Sequence, residues 1–314
     1  MELTELCYRL NDGGYKNWLK AGRCLVILKE GLHPFTDRHM RDFHGFLLHH
    51  NAVLHNTCGT SCRPRANKLP SLCTACSEWQ KVILKHHREP GATIHWNNCF
   101  PPDWRTHHWE LAKAYMPRGQ AKVQRADQCD AAALLNLIHF CKGFHSVDPT
   151  LVREVIRFRN ELMHSSDLRM TDKWMSHFQN TVKLFVEQLS SVPQIEAVGR
   201  QIDEMLNLDL SICVYGEDHL DSSGLLDKVV YESASQSQPN ADLIIQWEAE
   251  LLQETLQEFL HTSAADGDDE EEDTAKTLDT GRLKQLGGFL ESSKDLGERF
   301  STELQVINSL DEAV

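Results

Sequence analysis

The sequence predicts an all-α protein, in which a helical bundle over residues 1–200 carries a cysteine-rich insertion and is followed by an acidic helical C-terminal tail. Three observations support this fold class. Apolar residues recur at the three- and four-residue spacing of amphipathic helices through most of the chain. Capping residues, glycines and prolines punctuate that pattern at helix-like intervals. Hydrophobic residues form 41% of the 314 residues, which is enough to bury a core.

Three helices are predicted before the insertion. The first ends at the Asn-Asp-Gly-Gly run of residues 11–14. The second starts near Tyr15 and is predicted to stop near Gly31 and Pro34, because a proline removes a hydrogen bond from a helix interior. Thr36 is then the predicted cap of a third helix. This interpretation divides the first 50 residues into three separate elements.

Caps and breakers define the later helices of the bundle. Pro149 suits the first turn of a helix, and Thr171 suits a position just before one. Pro117 and Pro193 end the patterns that precede them. The predicted helices beyond the cysteines run over 78–87, 109–116, 130–141, 149–164, 171–189 and 195–208.

The last third of the chain is predicted to be an extension of the bundle. Residues 201–262 read as a helical extension that contains an irregular segment, with a clear amphipathic pattern over 243–260. Residues 263–280 are rich in acidic residues and are predicted to be a flexible linker. Residues 281–314 then form a C-terminal helix with helical spacing of apolar residues. We expect this tail to pack on itself or on a protein partner.

The insertion, about residues 56–104, contains two close cysteine pairs. Three residues lie between Cys58 and Cys62, two lie between Cys73 and Cys76, and ten residues separate the pairs. Two such pairs flanking a loop can place four thiolates tetrahedrally around zinc. The spacing therefore predicts a structural Zn²⁺ site with these four ligands. Additional candidate ligands are Cys99, His95, His86 and His87, and the alternative is that reduced cysteines pack as small apolar side chains.

Four tryptophans surround the insertion, at positions 79, 96, 104 and 109. One interpretation is a platform on which nucleic-acid bases stack. The interpretation we favour is that a small metal-held lobe needs bulky side chains for its core.

Charge is distributed unevenly along the chain. Residues 1–200 carry 26 Lys and Arg against 19 Asp and Glu, whereas residues 201–314 carry 6 against 27. The net charge of −14 is therefore the sum of +7 for residues 1–200 and −21 for residues 201–314. Because the bundle itself is mildly basic, the overall negative charge does not exclude RNA binding. The chain has neither a signal-peptide pattern nor an apolar run long enough for a bilayer. We therefore expect that the protein does not associate with a membrane. We also expect that its cysteines are reduced and that it is cytoplasmic or nuclear.

The most informative motif for chemistry lies at residues 157–164. It places Arg157, Arg159, Asn160 and His164 at the end of an otherwise apolar helical pattern. Arginine grips phosphate with a planar fork, and histidine exchanges a proton near neutral pH. Those two abilities are the minimum for cutting RNA without a metal, with the substrate's own 2′-hydroxyl as the nucleophile.

Helix geometry leaves the partner of the histidine open. On a continuous helix Arg157 and His164 lie within about 20° of each other, and Arg159 lies roughly 140° away. The Ser-Ser-Asp run at 165–167 is a strong helix stop, so His164 is expected at or just beyond the helix end. Its side-chain direction is then not fixed by the spacing. Either arginine remains a candidate partner.

Residues 159–164, Arg-Asn-Glu-Leu-Met-His, resemble the R-x4–6-H signature of HEPN domains, which are all-helical modules of RNA-cutting and RNA-binding proteins. The segments 15–18, 95–99, 109–119 and 161–166, within a region from about Glu5 to Pro193, resemble an uncharacterised vertebrate family named after open reading frame thirty-eight of the human X chromosome. Its first two-thirds resembles the HEPN domain of the DAZ-interacting zinc-finger ubiquitin ligase. The resemblance implies a helical fold linked to nucleic acid, and a two-fold dimer that brings two motifs together.

Three functions follow as hypotheses. The first is a binding module for single-stranded RNA or a nucleotide, with Arg159 and His164 as the phosphate site. The second is a metal-independent endoribonuclease, with His164 as general acid or base, Arg159 or Arg157 as the phosphate clamp, and Asn160 orienting either. The third is a protein-interaction scaffold that acts through the acidic tail. The sequence contains no phosphate-loop or dinucleotide motif and no H-E-x-x-H metalloprotease motif.

Overall fold

A computed structural model describes residues 2–210, 241–263 and 270–311 of the chain. Within those residues there are helices and short 3₁₀ turns, with no β-strand and only two isolated bridges, Arg65–Lys68 and His87–Cys141. The all-α prediction is confirmed. In chain order the helices are α1 (Glu2–Leu10), α2 (Gly13–His50), α3 (Thr74–His86), α4 (His108–Ala112), α5 (Ala131–Phe140), α6 (Pro149–Met163), α7 (Asp172–Gln188), α8 (Ile195–Asn207), α9 (Ala241–Ser263), α10 (Glu270–Ser292), α11 (Lys294–Arg299) and α12 (Ser301–Asp311).

Contacts divide the chain into two compact units that do not follow the sequence order. The first unit comprises Met1–Arg23, Glu161–Ser176 and Glu204–Val314. The second comprises Cys24–Asn160 and His177–Asp203. The division into residues 1–200, 201–262, 263–280 and 281–314 predicted from composition differs from this one, because α1 and the tail helices belong to the same unit.

In the first unit a buried ionic network joins α1 to the tail helices. The Arg9 guanidinium donates Nε to Glu248 Oε1 and Nη2 to Glu248 Oε2, each at 2.7 Å. Arg9 also bonds to both carboxylate oxygens of Asp295, at 3.0 and 2.8 Å. The Tyr15 hydroxyl donates to Glu248 at 2.7 Å, in a buried position. These contacts fix α9 and α11 against the N-terminal residues.

Close helix packing in the first unit depends on small residues. A Cβ atom added at Gly22 of α2 would lie 2.2 Å from Leu251 Cδ2 of α9, so only glycine allows this approach. Helix α10 packs against both α9 and α12. It begins at Glu270, inside the segment for which composition predicts a flexible linker, and residues 264–269 lie outside the described range.

The second unit contains the aromatic core around the cysteine-rich insertion. Trp79, Trp104 and Trp109 are 1%, 0% and 3% exposed, and Trp96 is 9% exposed. The four indoles are therefore core side chains, as the favoured interpretation predicts, and they offer no stacking platform. Helix α5 is almost wholly buried, and Asp130 caps it by accepting a hydrogen bond from the Ala133 amide at 2.7 Å.

The prediction of separate second and third helices is wrong. Helix α2 runs without a break for 38 residues, from Gly13 to His50, with Pro34 inside it. The Thr36 hydroxyl donates to the Leu32 carbonyl at 2.9 Å and thus acts within the helix and not as its cap. Gly31 is also no helix stop. A Cβ there would lie 2.6 Å from Val198 Cγ2, so this glycine allows α8 to approach α2.

None of the described helices is long and apolar enough to cross a membrane.

Candidate functional site

The four cysteines that the spacing predicts as zinc ligands come together in the second unit. The sulfurs of Cys58, Cys62, Cys73 and Cys76 all lie within 4.8 Å of one another. A tetrahedral zinc with Zn–S bonds of about 2.3 Å requires S–S separations of about 3.8 Å. Contraction by no more than about 1 Å would therefore complete the coordination shell. Two of the thiols are buried and two are half-buried.

Local backbone geometry places the first pair. The extra residue between Cys58 and Cys62 is accommodated by Ser61, whose φ of 51° lies in the left-handed region. This left-handed residue directs the Cys62 backbone amide towards Cys58 Sγ, and the Cys62 nitrogen lies 3.4 Å from that sulfur. The Cys73 amide points at Cys62 Sγ, with a separation of 3.2 Å. Amide groups that face sulfur in this way favour thiolates over thiols.

Cys73 and Cys76 begin a helix, which is an electropositive environment. Cys73 is the N-cap residue of α3 and Cys76 lies in its first turn. Burial raises the pKa of the Cys73 thiol, but hydrogen bonds from the amides of Cys76 and Gly59 outweigh burial and bring the pKa to about 6. The pKa of Cys58 is also lowered, and burial together with neighbouring thiols raises that of Cys76. Cys73 is therefore ready to bind a cation as thiolate at neutral pH.

The other sequence candidates for the metal lie elsewhere. Cys99 is 5% exposed. Burial, and to a smaller extent the nearby Glu110 carboxylate, raises the pKa of its thiol. His86 packs edge-on against Phe43, and His87 stacks on Tyr115 and Phe140. Within the described part of the chain, the four-cysteine group is the only cluster with metal-binding geometry.

In the second unit the arginines of the Arg/His motif occupy different environments. Arg159 has a side chain 2% exposed, and its guanidinium lies 3.6 Å from Asp130 Oδ2, the carboxylate that also caps α5. Arg157 is 47% exposed, bonds to Glu154 at 2.8 Å and stacks over Phe158. Asn160 is exposed, and its amide oxygen lies 3.5 Å from Arg159. Arg157 is therefore the accessible arginine of the motif, whereas Arg159 contributes to packing.

The histidine of the motif belongs to the first unit. His164 is 26% exposed and follows directly after α6, as the helix stop predicts. Its Nε2 lies 4.0 Å from Glu258 Oε1, and its ring meets Phe259 edge-on with centroids 5.4 Å apart. A partly exposed imidazole can contact an anion or transfer a proton.

The sequence did not reveal the partners of Arg159 and His164. Asp130 is recognisable in the sequence as the start of a helix but not as the neighbour of Arg159, since 29 positions separate them. Glu258 lies 94 positions beyond His164 in a tail that composition links only to interactions. A cleft of about 320 Å³ between α7 and α8 was also unforeseen, and none of the residues that line it belongs to the motif.

Comparison with known proteins identifies a family but no activity. A mouse (Mus musculus) protein named "Uncharacterized protein CXorf38 homolog" is 39% identical over 314 residues, a match that covers 99% of this chain and 93% of that protein. No solved structure matches the chain. The resemblance to HEPN domains stays a prediction, while the resemblance to the X-chromosome open-reading-frame family is confirmed. A family profile described as "Domain of unknown function (DUF4559)" matches residues 9–314, and the chain therefore belongs to this family.

Proposed function

We propose that this protein is a zinc-stabilised helical module that binds single-stranded RNA or a nucleotide. The observation that carries the zinc assignment is the convergence of four cysteine sulfurs within 4.8 Å. Four thiolates at this separation repel one another, and a divalent cation removes that repulsion. Because all four positions are filled by protein ligands, the site is structural and leaves no open position for catalysis.

Zinc is expected to hold the insertion together. Between the cysteine pairs the chain has few apolar anchors, so the metal replaces the core that such a short segment cannot build. Purified protein should contain about one zinc per chain, and Cys73→Ser with Cys76→Ser should abolish it. Cys7→Ser is the matched control, because Cys7 lies outside the cluster. A zinc content unchanged by the double substitution, or absent from the unmodified protein, would contradict the assignment.

The RNA-binding proposal rests on the HEPN resemblance, on the mildly basic bundle and on the accessible part of the motif. Arg157 is half-exposed, Asn160 is exposed and His164 is partly exposed beside Glu258. The burial of Arg159 favours binding over cleavage, because a buried guanidinium paired with Asp130 is poorly placed to stabilise the negative charge that develops on the phosphate in the transition state. We assign a phosphate contact to Arg157 of the second unit, with Arg159 positioning α6, the helix that carries it, and a separate contact to His164 of the first unit.

A labelled single-stranded RNA separates the three hypotheses. The test is to incubate the RNA with zinc-loaded protein in buffer without added divalent cations, so that the structural zinc is kept, and to measure both binding and fragment sizes. Binding without cleavage that weakens in Arg157→Ala and in His164→Ala supports the module, with exposed His177→Ala as the control. Cleavage lost in His164→Ala would establish the metal-independent endoribonuclease. No binding at all would favour a protein-interaction scaffold that acts through the acidic tail.

A further inference from the structure

A short basic hairpin, residues 63–68, projects from the cysteine-rich insertion. Arg65 and Lys68 pair through two backbone hydrogen bonds of 2.9 Å, each amide donating to the other residue's carbonyl. The two residues between them, Ala66 and Asn67, have φ angles of 46° and 55°. This is the geometry of a two-residue hairpin turn, in which the flanking side chains lie opposite each other on one face. The turn therefore sets an arginine and a lysine side by side.

The hairpin is held rigidly against the rest of the second unit. Asn67 donates its side-chain amide to the Ile94 carbonyl at 3.0 Å. The backbone amides of Asn67 and Asn97 each bond to the other's side-chain oxygen, at 3.2 and 3.3 Å. The Arg63 guanidinium stacks over Phe100 at 4.6 Å from the ring centroid. The backbone thus presents its cations in a defined arrangement.

This arrangement breaks two local rules. An alanine in the left-handed region is unfavourable, because its Cβ crowds the following carbonyl. Like charges directly opposite on paired strands repel. No acidic residue occurs between positions 43 and 77. Within the described part of the chain, Arg63, Arg65 and Lys68 are exposed and have no carboxylate partner. Violations of this kind are expected where a site serves a ligand.

We propose that the basic hairpin binds the phosphate backbone of single-stranded nucleic acid. Arginine forks and lysine ammonium groups are the side chains that recognise phosphate. The buried tryptophans leave no stacking surface, so the contact reads charge and not base sequence. No large apolar side chain between Cys58 and Cys76 is well exposed, which disfavours a hydrophobic peptide as the partner of the hairpin. This proposal rests on the zinc assignment in one respect, since the cysteine pairs anchor both ends of the hairpin.

The rival explanation is that these cations neutralise the thiolates. A four-thiolate zinc site carries a net charge of −2. The amides of Cys62 and Cys73, however, already face the sulfurs. A neutralising role predicts weaker zinc binding when the cations are removed, whereas a phosphate-binding role predicts unchanged zinc content. Metal content therefore separates the two explanations.

The test compares two double variants of the zinc-loaded protein. Arg65→Ala with Lys68→Ala removes two cations from the hairpin. Arg200→Ala with Lys81→Ala removes two exposed cations of the same unit that have carboxylate partners, Glu196 and Glu78. Binding of a fluorescent single-stranded RNA is measured at salt concentrations between 50 and 200 mM, and zinc is measured in every sample.

The hairpin variant should lose two phosphate contacts. Each contact contributes about 0.7 to the slope of log K against log salt for single strands, so the slope should fall by about 1.4, and affinity near 0.1 M salt should fall about 25-fold. The control variant should retain both slope and affinity. Arg157→Ala should leave the hairpin-dependent part of the slope intact, which separates this proposal from the one on the Arg/His motif.

Three results would overturn the proposal. The first is equal loss in the hairpin and control variants, which would indicate a general charge effect. The second is a hairpin variant that loses zinc, which would assign the cations to the metal site. The third is binding of poly-glutamate but not RNA by the unmodified protein, with the same loss in the hairpin variant, which would identify an acidic protein as the partner. Absence of zinc from the unmodified protein would refute the zinc assignment alone, because RNA binding is measured separately.

Discussion

Replacing Arg9 with methionine should destabilise the protein strongly. The side chains of Arg9, Glu248 and Asp295 are 5%, 1% and 11% exposed, so the substitution leaves two carboxylates without their cation in a buried place. Burial lowers the pKa of Arg9, but hydrogen bonds to Asp295 and Glu248 outweigh burial and raise it well above its ordinary value. Breaking a buried pair from one side typically costs about 3–5 kcal/mol.

Urea denaturation followed by circular dichroism and tryptophan fluorescence measures that loss. Arg200→Met is the matched control, because Arg200 and Glu196 form an exposed pair on one helix, worth about 0.5 kcal/mol. Adding Glu248→Gln to Arg9→Met removes one of the stranded charges. The double variant should therefore be less destabilised than the sum of the two single variants, with a coupling of about 1–3 kcal/mol.

A loss below about 1 kcal/mol for Arg9→Met would refute the reasoning, because that is the value of a solvated pair. Additivity of the two substitutions would equally show that Arg9 and Glu248 do not depend on each other.

Three further predictions concern stability. Asp295 has a pKa below its ordinary value of 3.8, because hydrogen bonds from Arg9 outweigh the effect of burial. Its contribution to the free energy of unfolding is therefore present above pH 3.8 and is lost as the pH falls below that value. Asp295→Asn should flatten that part of an acid unfolding curve. Gly31→Ala should destabilise the protein by about 1–3 kcal/mol, because the added Cβ would clash with Val198. Gly45→Ala in the same helix, where nothing lies within 4 Å of the added Cβ, should stabilise it by up to about 1 kcal/mol. A stabilised Gly31→Ala variant in thermal unfolding would contradict the close approach of Val198. Arg159→Met should lose about 1–3 kcal/mol in urea denaturation through the lost hydrogen bonding of a guanidinium that is 2% exposed, because Asp130 is 39% exposed and stays solvated. An unchanged midpoint would show that Arg159 does not stabilise the fold.

Sequence patterns predicted elements where local chemistry decides the structure. The helix capped by Asp130, the helix that starts at Pro149 and the helix that follows Thr171 all appear with bounds close to those expected. The four metal-ligand candidates were likewise identifiable, because their spacing in the chain fixes their proximity in space.

Patterns failed where partners distant in the chain decide. Gly31 and Pro34 read as a helix end, but packing against Val198 and the Thr36 hydroxyl keeps the helix continuous. The burial of Arg159 depends on Asp130, which no local rule connects to it. The basic hairpin left a usable signal, a long stretch without acidic residues around the Arg-Ala-Asn-Lys turn, whose significance depends on the backbone conformation of Ala66.

The first unit is formed by three separate stretches of the chain, which limits how the protein can be truncated. A cut near residue 200 would separate Arg9 and Gly22 from Glu248 and Leu251, their partners on α9. Both pieces would then expose faces that evolved to be covered, and would aggregate or attract chaperones. Point substitutions on the intact polypeptide are consequently the sound route to assigning roles, and partners captured with either half would report misfolding.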